Sequence, residues 1–308
     1  MMIANHTRNR QILFRRILLI VNVVVIVVAA LVVTHSFRSQ RRIAAINDKF
    51  FRDLYFLEKD PHLGWRVRPG FGKVFKVGPY SFSMQTNSQG IRDHREYQVD
   101  RTPNKLRVLC LGDSNMFGLF CDQGDDLPSQ LESQLGTVGI SSEVINAAVP
   151  GYRIWQTNDS YRTKWHTFKP DVIVVYVGVN ESQISRHRVF SDRVATDYPA
   201  VKEDYKALLQ TLADDCLVIC CTATSQTDAV EIDNINKALK EVAEHENVTL
   251  VDVDQFFRQH GRKNEWYCEA DKLLELVFHP NKKGNEQIAI LLRDVILKSP
   301  PATSLLRD

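Results

Sequence analysis

From residue 105 onward, short apolar runs alternate with amphipathic stretches. Arg107–Leu111, Glu143–Ala147, Asp171–Val177, Leu217–Cys221 and Val248–Val251 read as strands. Between them Leu127–Leu135, Trp155–Phe168, Lys202–Leu212 and Glu231–His245 read as helices. A last helix starts near Lys282, because Ile288, Leu291, Leu292, Val295 and Ile296 recur at helical spacing. The strands are continuous apolar runs rather than alternating ones, which predicts burial on both faces. Alternation of β and α in this order predicts a parallel sheet covered by helices on both sides. Upstream the pattern changes. Pro61 to Arg101 is punctuated by Gly64, Pro69, Gly70, Gly72, Gly78, Pro79 and Gly90 around short stretches such as Lys73–Val77 and Tyr80–Gln85. That predicts a small β-rich extension packed at the domain edge. Arg41 to Lys59 reads as a polar, helix-like stalk.

The amino-terminal pattern is of another kind. Ile17–Val33 is apolar apart from Asn22, and 34–37 lengthens the run without a charge. About 20 such residues span a bilayer. Ala29 and Ala30 sit inside the run, and Arg38, Arg41 and Arg42 follow it, which favours an uncleaved anchor over a cleaved signal peptide. Basic residues flank the run equally on both sides, so charge does not orient it. An amino end in the cytoplasm and an exported body is the expected arrangement. The division is then 1–40 for tail and transmembrane anchor, 41–104 for stalk and extension, and 105–308 for the main domain.

Composition narrows the classes. The 39 basic and 37 acidic residues give a net charge of +2 without a basic stripe, so a nucleic-acid partner is not expected. Cys110, Cys220 and Cys221 lie in apolar runs and read as small buried hydrophobes. Cys121, Cys216 and Cys268 have no clear place. There is no Cys/His spacing for zinc and no sequence support for a disulfide.

Four polar elements carry candidate chemistry. Gly112-Asp113-Ser114-Asn115 follows the first strand, and a serine there stands at the carboxyl edge of the sheet, where ligands bind in such folds. Asn146-Ala147-Ala148-Val149-Pro150-Gly151 follows the second strand. Its glycine lets backbone approach a ligand closely. Gly178-Val179-Asn180-Glu181 follows the third, and Asn180 offers two amide donors. His279-Pro280-Asn281 precedes the final helix; His279 is a base suited to a serine, and Asn281 an N-cap. Taken singly, the serine block is a weak signal, Pro150-Gly151 reads better as a turn, Asn180 equally well as a cap or turn residue, and a lone histidine is more often structural. Together, in one chain order, they supply a nucleophile, oxyanion donors and a base.

In these blocks, Gly112-Asp113-Ser114, Gly151, Gly178-Val179-Asn180 and His279, the chain resembles SGNH/GDSL hydrolases over about residues 105–297. Gly64-Trp65-Arg66, Tyr80-Ser81 and Thr86-Asn87-Ser88-Gln89-Gly90-Ile91-Arg92-Asp93 are similar to the stretch preceding the domain in a bacterial membrane-anchored subgroup. The resemblance implies an α/β fold, a three-layer α/β/α sandwich with a five-stranded parallel, flavodoxin-like sheet. It implies Ser114 as nucleophile and His279 as base on an acyl ester of a glycan or a lipid. The N–H groups of Ser114 and Gly151 and the side chain of Asn180 would form the oxyanion hole. No metal or organic cofactor is implied, and Asp113 is expected to order the nucleophile loop. Two positions depart from the family pattern. Glu181 stands where Asp is usual. Leu276 stands where the family places its acid, three residues before the histidine. Glu275 and Asp271 are then the candidate acids, but the favoured expectation is a Ser-His dyad whose Nδ1 proton goes to a backbone carbonyl. Two rival functions follow: transfer of the acyl group to a sugar hydroxyl, and a non-catalytic binding or assembly protein that lost its acid.

Overall fold

The computed structural model describes residues 55–181, 198–213, 216–246, 248–262, 264–274 and 278–305. Among these, no helix is long and apolar enough to cross a membrane. The expected anchor Ile17–Val33 and most of the stalk lie outside them.

Two antiparallel hairpins come first. β1 (Leu57–Asp60) pairs with β2 (Gly64–Val67), and β3 (Gly72–Val77) pairs with β4 (Tyr80–Gln85). The end of the expected helical stalk is therefore a strand. Asp60 explains why: its carboxylate accepts from the amides of His62 and Leu63, both at 2.9 Å, and turns the chain back. The extension is fixed by aromatic packing. Phe56 is fully buried, against Phe75 at 5.5 Å and stacked on Phe117 of the main domain at 5.7 Å.

The main domain is a parallel sheet of β5 (Leu106–Gly112), β6 (Ser142–Asn146), β7 (Val172–Tyr176), β8 (Leu217–Cys221) and β9 (Thr249–Val251). Its spatial order is β6-β5-β7-β8-β9. Every residue of β5 and β7 is buried; both runs are apolar except for Arg107, whose guanidinium is paired with Glu143 at 2.9 Å and donates to the Phe168 carbonyl at 2.9 Å. Cys110 of β5 and Cys220 and Cys221 of β8 are buried.

Right-handed crossovers in this order put the helix after β5 on one face and those after β6, β7 and β8 on the other. The contacts agree. α1 (Ser114–Phe117) leads into α2 (Leu127–Thr137), and α3 (Ile154–Thr163), α4 (Tyr198–Leu212) and α5 (Val230–Ala243) pack side by side. Two short helices that periodicity does not mark follow, α6 (Val253–Gln259) and α7 (Glu269–Leu273). α8 (Lys282–Ile296) returns beside α2 and buries Ile288, Ala289, Leu292 and Ile296 on one stripe. Asn281 caps it, its side chain accepting from the Gly284 amide at 3.2 Å. A short α9 (Pro300–Leu305) ends the described chain.

Candidate active site

The sheet register brings the polar blocks together. Gly112 lies beside Tyr176 of β7, and Cys110 beside Asn146 of β6, so three strands deliver their following loops to one carboxyl edge. Gly112 has no room for a side chain: a Cβ there would stand 2.1 Å from the Tyr176 carbonyl oxygen. The chain can then turn sharply into α1. Asp113 is its N-cap, accepting from the Asn115 amide at 2.9 Å. Burial pushes the Asp113 carboxyl up to about 6, against the pull of neighbouring backbone amides. Ser114 is the first residue of the helix, so its own N–H has no partner within the helix.

A continuous hydrogen-bonded chain runs from Ser114. His279 Nε2 lies 2.8 Å from Ser114 Oγ, and His279 Nδ1 lies 2.6 Å from Asp271 Oδ1. Asp271 Oδ2 accepts from the backbone amides of His279 at 2.7 Å and Phe278 at 3.1 Å. The carboxylate is fully buried and His279 is only 2% exposed. This corrects the expectation of a carbonyl acceptor: Nδ1 has a carboxylate partner. Asp271 comes eight positions before the histidine, on a segment whose two ends are paired. The Tyr267–Pro280 bridge and the Cys268 amide on the His279 carbonyl, at 2.9 Å, close that segment and set α7 beside His279. Glu275, the other candidate acid, and Leu276 lie outside the described residues. Phe120 crosses the His279 ring edge-on at 5.0 Å and leans on Phe82 of β4 at 5.7 Å. The extension thus reaches the base through one aromatic link.

The second and third blocks meet each other. Gly151 adopts a left-handed conformation, φ +83, between Pro150 and Tyr152. Asn180 sits in a 3-10 turn (Val179–Glu181), and its Nδ2 donates to the Tyr152 carbonyl at 2.9 Å, leaving its second N–H for another acceptor. Glu181 explains its own departure from the family pattern. Its longer side chain accepts from the Ile154 amide at 2.9 Å and from Arg153 at 3.1 Å, tying the Asn180 turn to the start of α3.

Burial raises the Glu181 carboxyl from 4.5 to about 7, more than the Ile154 amide and Arg153 lower it. Because the folded state holds this proton more tightly than the unfolded chain, the resulting stability is complete below pH 4.5. It is lost as pH rises through 7. Relative to Glu181→Gln, the wild-type protein should therefore lose about 3 kcal/mol of stability between pH 4.5 and 8. Urea unfolding of both proteins across that range measures it; parallel profiles would contradict the assignment.

Sequence reasoning named Ser114, His279, Gly151 and Asn180, and the structure gathers them at one edge. Asp271 it named only among the alternatives. Arg92 it missed as an anchor. This buried guanidinium donates to the carbonyls of Phe117 at 2.8 Å, Cys121 at 2.7 Å and Gly118, gripping the end of α1. Asp93 is tied down separately, by Tyr97 at 2.6 Å and Arg95 at 2.8 Å.

A serine, a histidine and a carboxylate joined in this way at the carboxyl edge of such a sheet form the arrangement of a hydrolase that works through serine. The family model described as GDSL-like lipase/acylhydrolase matches residues 110–287, more than half of the chain. The chain belongs to that family, and is a hydrolase acting on ester bonds. Among solved structures it is similar in fold to the lipase/acylhydrolase from Enterococcus faecalis, with a TM-score of 0.52 and 17% identity over 62% of this chain and 95% of that one. It is similar also to the acetyl xylan esterase AlAXEase, with a TM-score of 0.51 and 22% identity over 62% of this chain and all of the other. Compared by sequence with curated proteins, the chain matches none.

Proposed function

We propose that the protein is a membrane-anchored serine esterase that removes small acyl groups from hydroxyls of a carbohydrate. The observation that carries this reading is the unbroken chain Asp271–His279–Ser114, with contacts of 2.6 and 2.8 Å. Ser114 Oγ attacks the ester carbonyl while His279 Nε2 takes its proton. Asp271 holds the tautomer with hydrogen on Nδ1 and stabilises the imidazolium that forms. The N–H groups of Ser114 and Gly151 and the free N–H of Asn180 receive the oxyanion. The alcohol leaves with the proton from His279. Water, deprotonated by the same ring, then releases the acid and restores Ser114.

Two considerations point to a small acyl group. Ser114 is 6% exposed and His279 2%, which suits an acetyl better than a long acyl chain. One fold neighbour is an acetyl xylan esterase. The apolar run Ile17–Val33 supports the anchor, with the domain on the outer face. The non-catalytic rival rested on the missing acid, and Asp271 removes its premise. The test combines substrate and place. Full-length protein in washed membranes, resistant to high salt and carbonate, should release acetate from acetylated xylo-oligosaccharides faster than it cleaves long-chain esters. Extraction by salt alone would remove the anchor. Acetate appearing on an added glycan instead of in solution would replace hydrolysis by transfer.

A further inference from the structure

The β1–β2 hairpin does more than lean on the edge of the domain. Trp65 of β2 is 5% exposed, and its indole Nε1 donates to the Pro150 carbonyl at 2.9 Å. In return the Tyr152 hydroxyl donates to the Trp65 carbonyl at 2.8 Å, and the two rings meet edge-on at 5.8 Å. The hairpin therefore bonds the chain on both sides of Gly151. A Cβ at residue 151 would stand 3.2 Å from the Trp65 ring, so the ring lies directly against this glycine.

Peptide geometry gives this contact its meaning. The Pro150 carbonyl and the Gly151 N–H belong to one planar trans peptide and point in opposite directions. Holding the oxygen fixes the direction of the N–H. Glycine imposes little on its own backbone, so the direction must come from outside. Tyr152 extends the restraint, since its carbonyl receives the Asn180 side-chain amide at 2.9 Å.

We propose that Trp65 is a positioning residue for the oxyanion hole. It aims the Gly151 N–H directly and, through Tyr152, steadies the Asn180 amide. The inference rests on the serine-esterase reading above. An oxyanion bond strengthens in the transition state, so a misaimed donor lowers kcat while leaving KM nearly unchanged. Removing such a donor outright costs about 100- to 1000-fold in kcat, and loosening it costs part of that.

The experiment uses Trp65→Phe, which keeps an aromatic ring and loses the indole N–H. Tyr152→Phe removes only the hydroxyl. Each is assayed on a short-chain p-nitrophenyl ester, with active sites counted by fluorophosphonate titration so that misfolded molecules drop out. Trp65→Phe should lower kcat per site about tenfold with KM within about twofold, and Tyr152→Phe should lower it about threefold. Inhibition by a short alkyl boronic acid, which forms a tetrahedral adduct on serine, should weaken in parallel with kcat/KM. Wild-type kcat per site and boronate affinity in Trp65→Phe would overturn the proposal. If that variant does not fold, Tyr152→Phe decides it on the same readouts. Ser114→Ala separates the two levels: activity surviving in it overturns the esterase reading itself, whereas an inactive Ser114→Ala beside an unaltered Trp65→Phe overturns only the role of Trp65.

Discussion

Asp271→Asn should lower ester turnover about 10,000-fold, the loss seen when the acid of a working serine triad is neutralised. The substitution keeps size and shape but exchanges an acceptor for an amide that can turn either end to the ring. Asp271 Oδ1 receives the Nδ1 proton at 2.6 Å, and this bond keeps Nε2 free as an acceptor facing Ser114. With asparagine the ring can settle in the other tautomer, with Nε2 protonated and useless as a base. The imidazolium formed during attack also loses its buried counter-charge. The side-chain oxygen of the new asparagine can still accept from the amides of Phe278 and His279, so the fold should persist. Glu275→Gln, a neutralised carboxylate next to the family's acid position, should stay within a few-fold of wild type. A mild loss in Asp271→Asn beside a steep one in Glu275→Gln would reverse the assignment.

Ser114→Ala should lower turnover of the same esters on the order of a millionfold, as for nucleophile removal in other serine hydrolases. The substitution deletes one oxygen whose structural bond is to His279 Nε2, at 2.8 Å. Asp113 still caps α1, and Gly112 still makes the turn. Unfolding should therefore occur near the wild-type temperature while acyl transfer to the enzyme stops. Activity equal to wild type would remove Ser114 from the reaction.

Most of the sheet was legible because its strands are continuous apolar runs, and β7, with Val172, Ile173, Val174, Val175 and Tyr176 in a row, is the clearest case. The edge of the sheet was legible too. Gly112, Gly151, Asn180 and His279 follow strands or precede the last helix in a fixed order, and parallel pairing carries that order into space. What stayed hidden depends on contacts between distant segments. Nothing in Glu269–Leu273 announces a helix that turns Asp271 toward His279, because bridging between Tyr267 and Pro280 sets its position. The stretch 57–59 reads as the end of a helical stalk in sequence, but Asp60 turns it onto β2. Trp65 and Arg92 belong to an extension whose sequence shows turns and short strands, and their bonds to Pro150 and to the end of α1 span 85 and 25 positions. Periodicity reads neighbours within an element, so such anchors leave no mark on it.

In the proposed mechanism Asp271, His279 and Ser114 act as one unit to make Ser114 nucleophilic. Reaction with a fluorophosphonate, followed by intact mass and peptide mapping, tests it most directly. Wild-type protein should gain one phosphonyl group on Ser114, Asp271→Asn should label far more slowly at the same residue, and Ser114→Ala should gain none. Labelling of Ser114→Ala at the wild-type rate, or a wild-type protein that stays unlabelled while folded, would contradict the account.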